Sequence, residues 1–437
     1  MSAINEAREK QIVRKVTLRI IPFVFLLYII SYLDRANIGY AALQMNAELA
    51  LTSEVFGFIS GVFFIGYFLF EVPSNVMLNK YGARVWIARI LVTWGLFATL
   101  TAFAQNAMQL YILRFLLGVA EAGFFPGIIV YLTSWFRNKE IATTVSLFTA
   151  AIPVSYIIGA PLSTWIMDHI HWFGWSGWRW MLFLEGLPAI ILGVVCFFRL
   201  TDKPEQAKWL TPEEKSWLTG ELARDLAARK NVKHLSVFQA MRNGKILYLS
   251  FIYFVYQCGS LGVGYWMPQI LQGMAKEASH FQIGLMAMIP YIVATIAMIA
   301  WSRSSDLRNE RKLHSAIPLA VAAVALYAAG SVSHAMSALA LISVALAGLY
   351  AFKSPFWSLP TLFLSKETAS ISVAVINSIG NLGGFVGPYM LGVIAGSQKS
   401  ANTGGLVFLS GLLAIAFFMT LFMRTKYTTK ELDAAGQ

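Results

Sequence analysis

Long apolar stretches separated by short polar loops recur along the chain. They fall at roughly 18–40, 54–78, 85–104, 107–133, 141–165 and 178–199, and resume at about 246–270, 279–301, 314–332, 336–363, 369–396 and 404–424. Each is near the ~20 residues that a helix needs to cross a hydrocarbon core of about 30 Å. Twelve stretches predict twelve membrane-spanning helices, since a helix satisfies its own backbone in lipid. The longest polar segment divides them into six and six. The expected organisation is an N-terminal six-helix bundle over 1–199, a linker over 200–245 and a C-terminal six-helix bundle over 246–437. The fold class is all-α membrane protein. Within the linker, Thr211-Pro212-Glu213-Glu214 orders a cap, a first-turn proline and a capping-box glutamate. Trp217, Leu218, Leu222 and Leu226 then repeat at helical spacing, predicting an amphipathic helix on the cytoplasmic surface.

Composition agrees. The chain is 57% hydrophobic and 13% charged, with mean hydropathy +0.62. A soluble domain carries about 25% charged residues. A soluble enzyme, a secreted disulfide scaffold and a disordered regulator are thereby excluded. The net charge of +12 would suggest nucleic acid in a soluble protein, but the placement of the cations says otherwise. Of the 34 lysines and arginines, 28 fall in the two tails and the loops on their side, and only Lys276 and Lys399 fall in the opposite loops. The remaining four, Arg35, Arg114, Arg179 and Lys353, lie within or at the edge of apolar stretches. This asymmetry predicts an inner-membrane protein with both termini in the cytoplasm, its partners being the lipid bilayer and no nucleic acid. Cys196 and Cys258 both lie in apolar stretches, so no disulfide framework is expected. The six histidines lack metal-ligand spacing and no Walker motif is present, so neither a metal nor a cofactor is expected.

Charges inside a membrane need a reason, because each costs ~2.5–3.5 kcal/mol at the bilayer centre on insertion scales. Asp34-Arg35 lie in the first stretch, Arg114 and Glu121 in the fourth, and Lys353 in the tenth. Arg114 and Glu121 are seven residues apart, about two turns, so they share one helix face. Two cations and two carboxylates in one half point to a polar cavity more than to a structural staple, since buried ion pairs seldom stabilise on net. Arg179 and Glu185 read as a structural pair within one helix. Trp172, Trp175, Trp178 and Trp180 read as an interfacial aromatic belt.

Five strings carry a resemblance: DRANIG (34–39), RFLLGVAEAGFFPG (114–127), GWRWMLFLEGLPA (177–189), DKPEQAKWLTPEEK (202–215) and NSIGNLGGFVGP (377–388). Together they resemble the anion:cation symporter family of the major facilitator superfamily, over about 15–425, and look nearest to its bacterial branch importing tartrate and sugar acids such as rhamnonate. The loop after the second stretch departs from the superfamily pattern, with Asn79 and Lys80 in its Asp-Arg places, and Leu307 follows Asp306 in the repeat of that loop. Those changes put the usual cytoplasmic gating ion pairs in doubt.

The resemblance implies a major facilitator fold and a secondary transporter that is not an enzyme. Its expected partners are a small organic anion and protons, it works by alternating access, and it is monomeric. Asp34 and Glu121 are the implied proton-coupling residues. Arg35, Arg114, Tyr32, Tyr67 and Asn377 are implied at the substrate. Lys353 and Trp357 repeat in the tenth stretch the charge-then-aromatics pattern of Glu121 and Phe124-Phe125 and join that set. A lysine there lets a dianion be held by one cation from each half, which favours a tartrate-like hydroxydicarboxylate over a sugar monoacid. A proton-independent exchanger or facilitator, an importer of an aromatic or other monocarboxylate, and a membrane receptor for the anion stay open as alternatives.

Overall fold

The computed structural model describes residues 6–229, 237–332, 334–360, 366–397 and 401–423. Among them, twelve helical segments are long and apolar enough to cross a membrane. The protein is a multi-pass, all-α membrane protein with its helices gathered in two bundles.

The first unit contains α1 (Glu6–Glu48), most of α2 (Ser53–Tyr81), α3 (Ala83–Thr101), α4 (Ala107–Glu121), α5 (Phe124–Thr133), α6 (Asn138–Thr149), α7 (Ala151–His169), α8 (Gly177–Arg199) and α9 (Pro212–Arg229). The short segment Ala278–Leu285 also belongs to it. Here α3 packs along α8 and α4, while α1 packs against α7 and α8. Lipid offers no hydrophobic drive for helix association, so close packing relies on small residues. Gly118 on α4 shows this: a Cβ there would stand 2.0 Å from the Phe63 carbonyl oxygen. The missing side chain lets α2 press its aromatic face against α4.

The fourth apolar stretch is interrupted. Ala122 takes an extended conformation (φ −54°, ψ 133°) and Gly123 a left-handed one (φ 83°), so α4 ends at Glu121 and α5 begins at Phe124. Pro126 contributes as well, since it has no N–H to offer the Ala122 carbonyl. The fifth stretch likewise comprises α6 and α7, joined at Ala150.

The second unit contains α10 (Val237–Arg242), α11 (Gly244–Met274), most of α12 (His280–Arg308), α13 (Lys312–Ser331), α14 (Ala335–Ser358), α15 (Lys366–Asn381), α16 (Gly383–Ser397) and α17 (Ala401–Phe422). Its centre is α11, which packs on α15, α16 and α17, while α13 packs on α14 and α17. In both units, large side chains such as Phe198, Ile296 and Val324 stay exposed on the spans, where lipid covers them.

The linker helix α9 starts as its sequence predicts. Thr211 N–H donates to Glu214 Oε2 at 2.9 Å and Glu214 N–H donates to Thr211 Oγ1 at 3.2 Å. Of its apolar positions Leu218 is fully buried; Leu226 lies outside the residues whose side chains are described.

Candidate functional site

The buried charges of the first unit converge on α1. Arg35 donates from Nε at 2.8 Å and from Nη2 at 2.7 Å, both to Glu121 Oε1 on α4. Ser31, one turn earlier on α1, donates to the same oxygen at 2.6 Å. Glu121 Oε2 is buried and accepts no hydrogen bond among the described residues. One oxygen of this carboxyl is therefore saturated and the other is bare. The Arg35 guanidinium also lies 5.2 Å from the Tyr32 ring centre, 5.3 Å from that of Phe63 and 5.2 Å from that of Tyr67, within the range of cation–π attraction. Arg114 approaches Phe63 too, at 5.4 Å, so one ring serves both guanidiniums.

Asp34 points elsewhere. Its Oδ2 accepts the indole N–H of Trp94 on α3 at 2.5 Å, and its Oδ1 lies 3.5 Å from the Asn37 amide nitrogen. Neighbouring positions on a helix are about 100° apart, which sends Asp34 toward α3 and Arg35 toward α4. Asp34, Asn37, Thr101 and Arg114 line a cavity of about 10 Å³, large enough for one water. Asp34 makes no ion pair among the described residues, and it is only 1% exposed.

Three expectations from the sequence change here. The guanidinium bonded to Glu121 is that of Arg35, which reaches it from another helix, and Arg114 lies instead at the Asp34 cavity. Arg179 and Glu185 do not pair. Arg179 bonds Glu48 at the end of α1 (3.0 Å) and the carbonyls of Ala102 (2.7 Å) and Ala104 (2.8 Å), which places it at the helix end instead of one turn along α8. Glu185 accepts from Ser163 on α7 at 2.6 Å. Trp178 also leaves the aromatic belt: it is fully buried and its indole donates to Glu48 at 2.6 Å. Trp172, Trp175 and Trp180 do cluster, with ring centres 5.4–5.6 Å apart for the two closest pairs.

In the second unit, Lys353 is half-buried on α14, its Nζ 5.8 Å from the Tyr350 ring centre. Trp357, one turn on, meets Tyr253 of α11 edge-on at 4.8 Å. Asn377 is half-buried on α15. Among the described residues, no group of three or more His, Cys, Asp or Glu is placed to hold a metal ion.

Sequence reasoning missed Ser31, Trp94, Phe63 and Ser163. Ser31 was detectable as the residue one turn before Arg35, on the same face. The indole of Trp94 counts as apolar in any hydropathy reading, which hides its N–H.

A family model described as the Major Facilitator Superfamily matches residues 24–388, and the chain belongs to that superfamily. It is 48% identical over 432 residues to an Agrobacterium vitis protein named as a candidate tartrate transporter, covering 98% of this chain and 95% of that one. It is 36% identical over 419 residues to a quinolone resistance transporter of Acinetobacter baumannii, covering 96% of each. Among solved structures it is similar to a bacterial homologue of the human lysosomal transporter Spinster in an inward-facing, occupied conformation. That match has a TM-score of 0.76 at 15% identity, over 94% of this chain and 98% of that one, and bears on the fold alone. The protein is a secondary transporter of a small solute.

Proposed function

We propose that the protein imports a small organic anion with protons, by alternating access, across the inner membrane with both termini in the cytoplasm. A tartrate-like hydroxydicarboxylate or a sugar acid is the favoured substrate. The observation that carries this is the Arg35–Glu121 pair. It is buried, its carboxyl has one bare oxygen, and its guanidinium fork is the group a carboxylate would seek. An arriving carboxylate competes for Arg35 and leaves Glu121 without its cation in a low-dielectric site. Glu121 is then released to take the coupled proton, so anion binding and proton binding are linked. Arg114 lines the same small cavity as Asp34, the second carboxyl. Tyr32 and Tyr67 offer hydroxyls to a polyhydroxy acid, and Lys353, Trp357 and Asn377 are proposed as the second unit's substrate-binding residues. The Agrobacterium vitis relative supports tartrate as the first acid to test. With a dianion and protons on Asp34 and Glu121 the cycle is electroneutral. With a monoanion it carries one positive charge, worth ~2.3 kcal/mol per 100 mV.

The test is uptake into proteoliposomes across a panel of tartrate, sugar acids and aromatic acids, with and without an imposed pH gradient. We expect tartrate to accumulate only with the gradient. Glu121→Gln, which copies the protonated state, is expected to keep substrate binding and exchange while losing gradient-driven accumulation. Full accumulation by this variant would refute the coupling role. Equal uptake without any gradient would favour the proton-independent exchanger. The three rings around Arg35 favour an aromatic monocarboxylate as the second reading, and the same panel separates the two substrates.

A further inference from the structure

Arg19 on α1 and Arg199 at the end of α8 are exposed, and among the described residues neither makes an ion pair or a hydrogen bond. Other cations on this side of the first unit are answered: Lys15 by Glu214, and Arg137 by Glu9, Glu140 and Glu221. Asp202, three residues after Arg199, accepts the Arg84 backbone N–H at 2.7 Å. Both arginines line one cleft, together with Phe23, Tyr131, Trp135 and Trp209. The enclosed part of the cleft is about 10 Å³, room for one water. With its open side the space is about 260 Å³. The Arg199 guanidinium lies 5.5 Å from the Phe23 ring centre, which brings the cation of α8 against α1. Trp135 stacks on Trp209 with ring centres 5.5 Å apart, and its buried indole N–H has no acceptor.

The position of the cleft narrows what it can hold. Arg19 stands at the start of the first apolar stretch, Trp135 two residues past the fourth, and Arg199 at the end of the sixth. The start of the first span and the ends of even-numbered spans lie on one side of a membrane. The cleft therefore sits at a membrane boundary, at the level of lipid phosphates, on the side that carries most of the lysines and arginines. From each arginine an exposed apolar stripe runs into the membrane. Pro22 and Leu26 follow Arg19 by three and seven residues, and Val195 and Ile191 precede Arg199 by four and eight, which are same-face spacings on a helix. Two guanidinium forks suit the oxygens of a phosphate, and the stripes suit acyl chains. An inorganic anion would match only the first of these.

We propose that this cleft binds an anionic phospholipid, its phosphate held between Arg19 and Arg199 and its acyl chains lying along the exposed faces of α1 and α8. Basic pockets between membrane-spanning helices recognise anionic headgroups by this chemistry. The site is separate from the Arg35–Glu121 pair, and it depends neither on the transported solute nor on proton coupling.

Native mass spectrometry of the full-length protein in detergent tests it, with phosphatidylglycerol and phosphatidylcholine of identical acyl chains in competition. The wild type is expected to retain phosphatidylglycerol at least about tenfold more tightly. Arg19→Gln and Arg199→Gln are each expected to lower that preference about fivefold, and the double variant to abolish it. All are surface changes, and a thermal melt of each variant shows that it is folded; the single variants decide the matter should the double variant not fold. Lys203→Gln/Lys208→Gln removes the same charge from exposed positions outside the cleft, and is expected to keep the preference. Equal retention of the two lipids by the wild type overturns the proposal. So does a preference that survives loss of the arginines, or one that the lysine pair abolishes as completely. Excess inorganic phosphate separates the two sources of the anion. It is expected to leave phosphatidylglycerol bound, whereas displacement of the lipid by free phosphate would make the cleft a site for the soluble anion and overturn the lipid assignment.

Discussion

A guanidinium that donates twice to one carboxylate oxygen while lying near three aromatic rings makes contacts that an ammonium cannot copy. Arg35→Lys keeps the charge but loses the fork and most of the ring contacts. We expect uptake to fall at least tenfold, about 1.4 kcal/mol in transition-state terms, with the protein still folded. Arg114→Lys reports instead on the Asp34 cavity; if it also loses most uptake, both guanidiniums act by shape as well as charge. Near-normal affinity in Arg35→Lys would show that the cation serves only as a point charge. The four charges themselves were legible in the sequence, because each interrupts an apolar stretch. Their partners were not. Helical periodicity places Arg114 and Glu121 on one face of one helix, yet it cannot tell which neighbouring helix faces them, and the partner came from α1. Ser31 and Trp94 were hidden for another reason: a hydroxyl and an indole do not interrupt an apolar run.

At the scale of elements, the break between α4 and α5 sets where Glu121 stands. The left-handed Gly123 turns the chain directly after the last turn of α4, and its α-carbon lies against Ser74 of α2. A Cβ at this position would stand 2.4 Å from Ser74 Oγ, on a backbone that L-residues adopt only under strain. Gly123→Ala is therefore expected to cost about 1–3 kcal/mol of stability and to lower uptake together with it. The readouts are a thermal melt in detergent and transport by the same preparation. An unchanged melt with lost uptake would mean that the turn serves function alone. The sequence supplied the stretch 107–133 as one apolar segment, and in length and composition it is one. Its Ala122-Gly123 and Pro126 are turn signals, but hydrophobicity on both sides masks them. The same limit applies to Arg179 and Glu185: six residues apart on one helix, they looked like partners, whereas the carbonyls left open at the end of α3 and Glu48 at the end of α1 claimed the arginine.

At the scale of the whole molecule, the linker helix is fastened to the first unit by ion pairs. Arg137, 4% exposed, bonds Glu9 (2.8 Å), Glu140 (2.5 Å) and Glu221 (3.3 Å), and lies 4.8 Å from the Trp217 ring centre. Lys15 bonds Glu214 at 2.7 Å and Arg8 reaches Glu213 at 3.5 Å. The start of α9 was legible from its capping box, but its anchoring was not, since Arg8, Lys15 and Arg137 read as ordinary loop and tail cations. Removing Arg137 would take from Glu140 the cation it is bonded to, while Lys139 and Arg224 still hold Glu9 and Glu221. Glu214 adds a pH dependence whose sign can be fixed. Partial burial pushes its carboxyl up, but the Lys15 ammonium and the Thr211 backbone N–H together bring it below the ordinary glutamate value. A depressed value means that the detached helix binds protons more readily than the docked one. Docking is thus fully supported above about pH 4.3, the ordinary glutamate value, and weakens as pH falls through the lower value of the docked state. Gly220 on α9 is exposed with open space around it, and both native cysteines are buried, so a nitroxide on Gly220→Cys reports docking by its mobility. Mobility is expected to stay constant from neutral pH to about 4.5 and to rise below it. Lys15→Gln removes the ammonium that lowers Glu214 and is expected to move this rise to higher pH. A rise that begins near neutral pH, or one that Lys15→Gln leaves in place, would show that Glu214 does not control the attachment.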